Sequence, residues 1–105
     1  MAYTKEMYEK KLKKIKINLS APPDDLPEEV KMLVNPIVKL VVAQIHELNG
    51  ISEPGEEADP LALRKHLEEF SAKLTNTEDK KMFGEYAAMV DSLINEGVKD
   101  APNPQ

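Results

Sequence analysis

The chain has 105 residues, of which 41% are hydrophobic, and a formal net charge of −5 at pH 7. This length predicts a single domain with its own core. The chain has no cysteine, which excludes a disulfide framework, a thiolate nucleophile and a metal site with sulfur ligands. No apolar run reaches the roughly 20 residues that cross a bilayer, and no apolar signal segment follows Met1. We therefore expect a soluble, cytoplasmic protein without a membrane span.

The charge is unevenly distributed along the chain. Residues 1–16 contain six lysines against two glutamates, a net charge of +4, which leaves −9 for the remaining residues. Such a segment is typical of an arm that binds a polyanion, but it also fits a helix that packs on its own acidic body. We favour the second interpretation, because no arginine accompanies the lysines and no aromatic residue is interleaved among them from 10 to 16. The lysines that would contact a polyanion are Lys10, Lys11, Lys13, Lys14 and Lys16.

Residues 1–20 predict a basic N-terminal helix that changes into an extended segment. Residues 3–14 can form a helix, but from Ile15 to Leu19 apolar and polar residues alternate strictly, which is the period of a strand. We therefore expect an extended segment at 15–19 with Ile15 and Ile17 on one side. The alternative is a helix that continues through Ile17, which would place these two side chains on different faces. The sequence Ser20-Ala21-Pro22-Pro23 should end any regular structure.

The stretch from Leu26 to Gly50 is too apolar for a surface helix, and we expect it at the centre of the fold. Asp25 and Glu28 form a capping-box pattern for a first segment over 26–34. Asn35 then predicts a new helix start with Pro36 at its first position, since proline inside a helix costs about 3 kcal/mol. The second segment, 36–48, is the predicted central helix and should end at Gly50 as a left-handed cap. Val41 and Ile45 are expected to be nearly inaccessible.

Two further helices follow an acidic loop at 49–59. Asp59-Pro60 predicts the start of the first, which has a narrow apolar stripe at Leu63, Leu67, Phe70 and Leu74. Thr75 or Thr77 should cap the second, which runs to about Asn95 with Gly97 at its end. The predicted fold class is therefore all-α, a small bundle of four to five helices, with an arm at 1–20, the bundle at 21–96 and a disordered tail at 97–105.

No residue pattern predicts catalysis or a cofactor. The two histidines, His46 and His66, belong to neither a His-Glu-x-x-His nor a Glu-x-x-His motif, and His66 with Glu69 is a weak metal-binding pair. None of the four serines occupies a nucleophile elbow, and the four glycines are scattered and form no phosphate-binding loop. We expect no enzyme, no cofactor and no metal.

The predicted function is a non-catalytic protein–protein interaction module that forms a homodimer or binds a protein partner. Its basis is surplus apolar surface, because both 36–48 and 82–94 have wide apolar faces. The candidate interface residues are Met82, Tyr86, Met89, Leu93, Ile15 and Ile17. The alternatives are a nucleic-acid or anionic-surface binder acting through the N-terminal lysines, and an acidic inhibitor of a nucleic-acid-binding protein. Gly84 and Ala88 would let another backbone approach closely, or else Gly84 is a tolerated surface glycine.

Overall fold

A computed structural model describes residues 3–20 and 26–97 of the chain. The described residues form five helices in chain order: α1 (Lys5–Ser20), α2 (Glu28–Lys31), α3 (Val34–Leu48), α4 (Pro60–Lys73) and α5 (Thr77–Glu96). Four of them are long, and α2 is a single turn. The predicted all-α bundle is confirmed.

The four long helices share one hydrophobic core. α3 lies between α1 and α4, and α5 packs mainly against α4. Phe70 and Phe83 join α4 to α5 edge to face, with ring centroids 4.9 Å apart, a favoured aromatic geometry. Residues 5–20 contribute to the same core. The principal core residues are Tyr8, Leu12, Ile15 and Leu19 of α1, Ile37 and Val41 of α3, Leu63, Leu67 and Phe70 of α4, and Phe83, Tyr86, Met89, Val90 and Leu93 of α5.

The extended segment predicted at 15–19 is wrong, because α1 continues as a helix to Ser20. Ile15 is fully buried whereas Ile17 is 67% exposed, as expected for positions about 200° apart around a helix. Leu19 returns to the buried side four residues after Ile15. The alternation in the sequence has a helical explanation, since Ile15 and Leu19 face the core and Ile17 does not.

The interruption before the central helix is present, but it lies earlier than predicted. α2 ends at Lys31 and α3 begins at Val34, so Pro36 lies in the first turn of α3 and Asn35 is not its cap. Proline is tolerated there because the first N–H groups of a helix have no partner within it. α2 has no side-chain cap, and Asp25 lies outside the described residues.

The predicted end of α3 is confirmed. Gly50 has φ +68°, and the N–H groups of Gly50 and Ile51 donate to the carbonyls of Glu47 and His46. These two hydrogen bonds define a Schellman motif, which requires a left-handed residue after the helix. Val41 is fully buried as expected, whereas Ile45 is only partly buried.

A single side chain caps the N-terminus of α4, and another caps that of α5. The Asp59 carboxylate accepts a hydrogen bond from the Ala62 N–H at 3.0 Å, which confirms the predicted start. α5 is capped by Asn76, whose Oδ1 accepts from two N–H groups at 2.9 and 3.1 Å, so the prediction of a threonine cap is wrong. Gly97, with φ +72°, ends α5 as predicted. Of the predicted disordered tail, residues 98–105 lie outside the described residues.

Candidate interaction surfaces

Most of the predicted interface residues are occupied by contacts within the chain. Ile15, Tyr86, Met89 and Leu93 are buried in the core, and Met82 is partly buried against it. The wide apolar face of α5 is covered by α4 and α1 together, and the Tyr86 hydroxyl accepts a hydrogen bond from Asn18 of α1 at 2.8 Å. Burial raises the pKa of Tyr86, although this hydrogen bond by itself acts to lower it. Among the six residues, Ile17 alone is exposed.

The candidate polyanion contacts lie on the surface of α1. Lys10, Lys11, Lys13, Lys14 and Lys16 are all exposed. The Lys13 ammonium lies 3.3 Å from the Glu9 carboxylate one turn earlier. The pKa of Glu9 is lowered first by the hydrogen bond that it accepts from Asn49 and second by this contact with Lys13. Within the described residues, none of the other four lysines forms an ion pair.

Two exposed apolar side chains lie among these lysines. Met7 is 40% exposed and Ile17 is 67% exposed. Positions 7, 10, 11, 14 and 17 share one side of a helix, and Met7, Lys10, Lys11 and Lys14 line a shallow cavity of about 230 Å³. We call this set the basic face: Met7, Lys10, Lys11, Lys14 and Ile17.

The loop between α3 and α4 carries a second charged surface of opposite sign. The His46 Nδ1 lies 2.8 Å from Oε1 of Glu56, and the same oxygen accepts the Glu53 N–H at 3.2 Å. These two hydrogen bonds, with that of His46 the larger, lower the pKa of Glu56. Gly55 provides the positive φ of +83° at the tip of the turn. The loop is therefore held against α3 by one carboxylate.

The remaining carboxylates of this loop face outward. Glu53 and Glu57 are exposed, and an exposed apolar side chain lies on either side of them in the chain, Ile51 at 60% and Leu61 at 63%. We use the name acidic loop for four residues of this segment and one residue of the first turn of α4: Ile51, Glu53, Glu56, Glu57 and Leu61. The sequence shows that the segment is acidic, but its apolar borders could not be identified before their exposure was known.

Glu53, Glu56 and Glu57 of the acidic loop form one wall of a cavity of about 520 Å³ against α3, which contributes Lys39, and α4. His66 lines it, and the buried Nδ1 of His66 has no hydrogen-bond partner among the described residues. No hydrogen bond or ion pair within the described residues joins His66 to Glu69, which is exposed. The described residues contain no group of three or more histidines and carboxylates that could hold a metal ion. The described residues that line this cavity include no serine, threonine or tyrosine hydroxyl.

A third surface is the groove between α4 and α5, of about 450 Å³. Its rim carries Arg64, which contacts Asp91 of α5 and Glu68 of α4, each at 3.1 Å. Gly84 is exposed in its floor, and a Cβ atom there would lie 3.7 Å from the Ser71 Oγ. This distance is an ordinary contact, so the packing of α4 on α5 does not require glycine.

No helix among the described residues has both the length and the apolar character needed to span a membrane. Comparison with known proteins found no family model, no curated protein and no solved structure that matches this chain.

Proposed function

We propose that this chain is a non-catalytic protein–protein interaction module whose contact surface is the basic face of α1. The observation that carries the proposal is the exposure of Met7 and Ile17 at the two ends of a row of lysines, on a helix whose opposite side is fixed in the core. A surface that combines charge with accessible apolar groups offers a partner both orientation and buried area.

A protein partner fits this surface better than a nucleic acid. Phosphate groups would pair with Lys10, Lys11 and Lys14 but would leave Met7 and Ile17 against water. Nucleic-acid surfaces usually add arginine or aromatic side chains that stack on bases, and the basic face has neither. An anionic membrane would accept the lysines, but two apolar side chains are few for a helix that inserts into the headgroup region.

The basic face replaces the apolar face of residues 82–94 as the proposed site of association. Tyr86, Met89 and Leu93 serve the core of one chain, so their apolar area supplies no reason for a second copy. Ile17 is the residue that the two proposals share. The absence of catalysis and the cytoplasmic location stay predictions.

The experiment compares proteins retained from a lysate of the native host by the full chain and by three variants. The K10E/K11E/K14E variant removes the positive charge of the basic face, and Ile17→Ala removes apolar area without changing charge. The control variant, K31E/K65E/K81E, changes the net charge by the same amount at three exposed lysines elsewhere.

We expect a partner protein that the wild type and the control retain and that both basic-face variants lose. Retention that needs the lysines, survives Ile17→Ala and disappears after nuclease treatment would instead support the nucleic-acid alternative. Equal retention by all four proteins would refute the proposal.

A further inference from the structure

We propose that the basic face of one copy binds the acidic loop of a second copy. This inference rests on the proposed function, since it uses the same face and names its occupant. Both surfaces belong to this chain and carry charges of opposite sign. In each, exposed apolar residues precede and follow the charged residues in the sequence.

The charges of the two surfaces are complementary. The basic face presents Lys10, Lys11 and Lys14, and the acidic loop presents Glu53 and Glu57, all of them exposed. Within the described residues, no ion pair joins the two surfaces of the same chain. A second copy therefore supplies the basic face with carboxylates of an acidic loop, which it does not contact within its own chain.

The acidic loop is held in a fixed shape before it meets a partner. Glu56 contacts His46 at 2.8 Å and accepts the Glu53 N–H, whereas Glu53 and Glu57 are exposed. A loop that is already ordered loses less conformational entropy on binding than a mobile one. The lysines are fixed in the same way at their backbone, because α1 is anchored by Leu12 and Ile15 in the core.

The apolar residues are the second, independent observation. Among the residues that the structure describes, five large hydrophobic side chains are exposed, and four of them lie close in sequence to the charged residues of these two surfaces. Single exposed hydrophobic residues are ordinary, but here a pair accompanies each charged surface. Met7 and Ile17 lie about 15 Å apart along α1, at 1.5 Å per residue, with the lysines between them. Ile51 and Leu61 stand on either side of Glu53 and Glu57 in the chain.

The contact must join unlike surfaces. Two basic faces placed against each other would oppose lysine to lysine, and two acidic loops would oppose glutamate to glutamate, so neither surface can bind its own kind. A contact between unlike surfaces is either made twice, in a reciprocal two-fold dimer, or made once, which leaves one of each kind available on the pair and leads to an open chain or a closed ring. Because the ion pairs are exposed, the association should weaken strongly with added salt.

The test is sedimentation velocity of the full chain and its variants over a range of concentrations. It is run at about 0.1 M and about 1 M NaCl, where the Debye length is roughly 10 and 3 Å. The K10E/K11E/K14E variant has two acidic surfaces, and the E53K/E57K variant has two basic ones. Glu56 is left in place so that the loop keeps its contact with His46. K31E/K65E/K81E again serves as the control for net charge.

We expect the sedimentation coefficient of the wild type and the control to rise with concentration at low salt and to return to the monomer value at high salt. Each charge-reversed variant alone should remain monomeric, and an equimolar mixture of the two should form a complex. A wild type that is monomeric at every concentration, or a mixture that forms no complex, would overturn the inference. If the wild type is monomeric but still retains a partner protein through the basic face, the inference fails and the proposed function stands.

Discussion

Replacing Gly84 with alanine should stabilise this protein. Gly84 lies in the interior of α5, outside the set of residues with positive φ, and glycine in a helix interior costs about 0.8–1.0 kcal/mol relative to alanine. The added methyl group meets only the Ser71 Oγ at 3.7 Å, so no clash offsets the gain. We expect the free energy of unfolding to increase by about 1 kcal/mol, which for a chain of this size raises the thermal midpoint by roughly 4 °C.

The assay is urea unfolding followed by circular dichroism at the helical signal, with the slope of the transition unchanged. Ala88→Gly is the matched control, since Ala88 is exposed one turn further along α5 and should lose about 1 kcal/mol for the same reason. A Gly84→Ala protein that unfolds at a lower urea concentration than the wild type would refute the reasoning, because it would mean that the added methyl group does clash with α4. If Gly84→Ala stabilises the chain but weakens capture of a partner, that partner binds in the groove between α4 and α5.

Three further predictions follow from single side chains. Asn76→Ala should cost about 1 kcal/mol in urea unfolding, because it removes the cap that accepts two N–H groups of α5. Ile15→Ala should lower the free energy of unfolding by about 2–5 kcal/mol, because Ile15 is buried, and Ile17→Ala should lower it by less than about 0.5 kcal/mol, because Ile17 is exposed. Equal losses would contradict a helix that continues through residue 17. Glu56 has a folded pKa below its ordinary value of 4.5, so its ionised form stabilises the fold above that pH, and this contribution is lost as the pH falls through the folded pKa. Unfolding measured from pH 7 to pH 3 should therefore show an advantage of the wild type over Glu56→Gln that disappears in acid, and a constant difference would argue against the contact with His46.

The sequence predicts helix ends well where one residue acts over a single turn. Asp59 and Gly50 were identified because a cap needs only a carboxylate or a left-handed residue at one position. The cap of α5 shows the limit of this approach, since Thr75, Asn76 and Thr77 are all capable caps and adjacent positions compete. The choice of Asn76 depends on where α4 ends and how the chain turns back.

Contacts between helices could not be predicted in the same way. The His46–Glu56 pair and the hydrogen bond from Asn18 to Tyr86 join residues 10 and 68 positions apart, and no periodicity within one helix encodes such distances. The sequence correctly indicates that α5 has a wide buried face. It does not indicate what buries that face, because a partner protein and the helices α1 and α4 would select the same spacing of apolar residues. The strand period at 15–19 failed for a related reason, because five residues can satisfy either period and packing against α3 decides between them.

The short link between α4 and α5 has a consequence for the order in which this chain acquires structure. Only residues 74–76 separate the two helices, so the entropy lost in closing that loop is small, and the two helices bring Phe70 and Phe83 together early in the chain's collapse. α1 instead packs against α3 and α5, which lie much further along the chain, and contacts between residues far apart in sequence are slower to form. We expect amide hydrogens of α5 to exchange last and those of α1 to exchange earlier. The lysine-bearing surface would then be the last part of the molecule to become available, so that only a fully folded chain could present it.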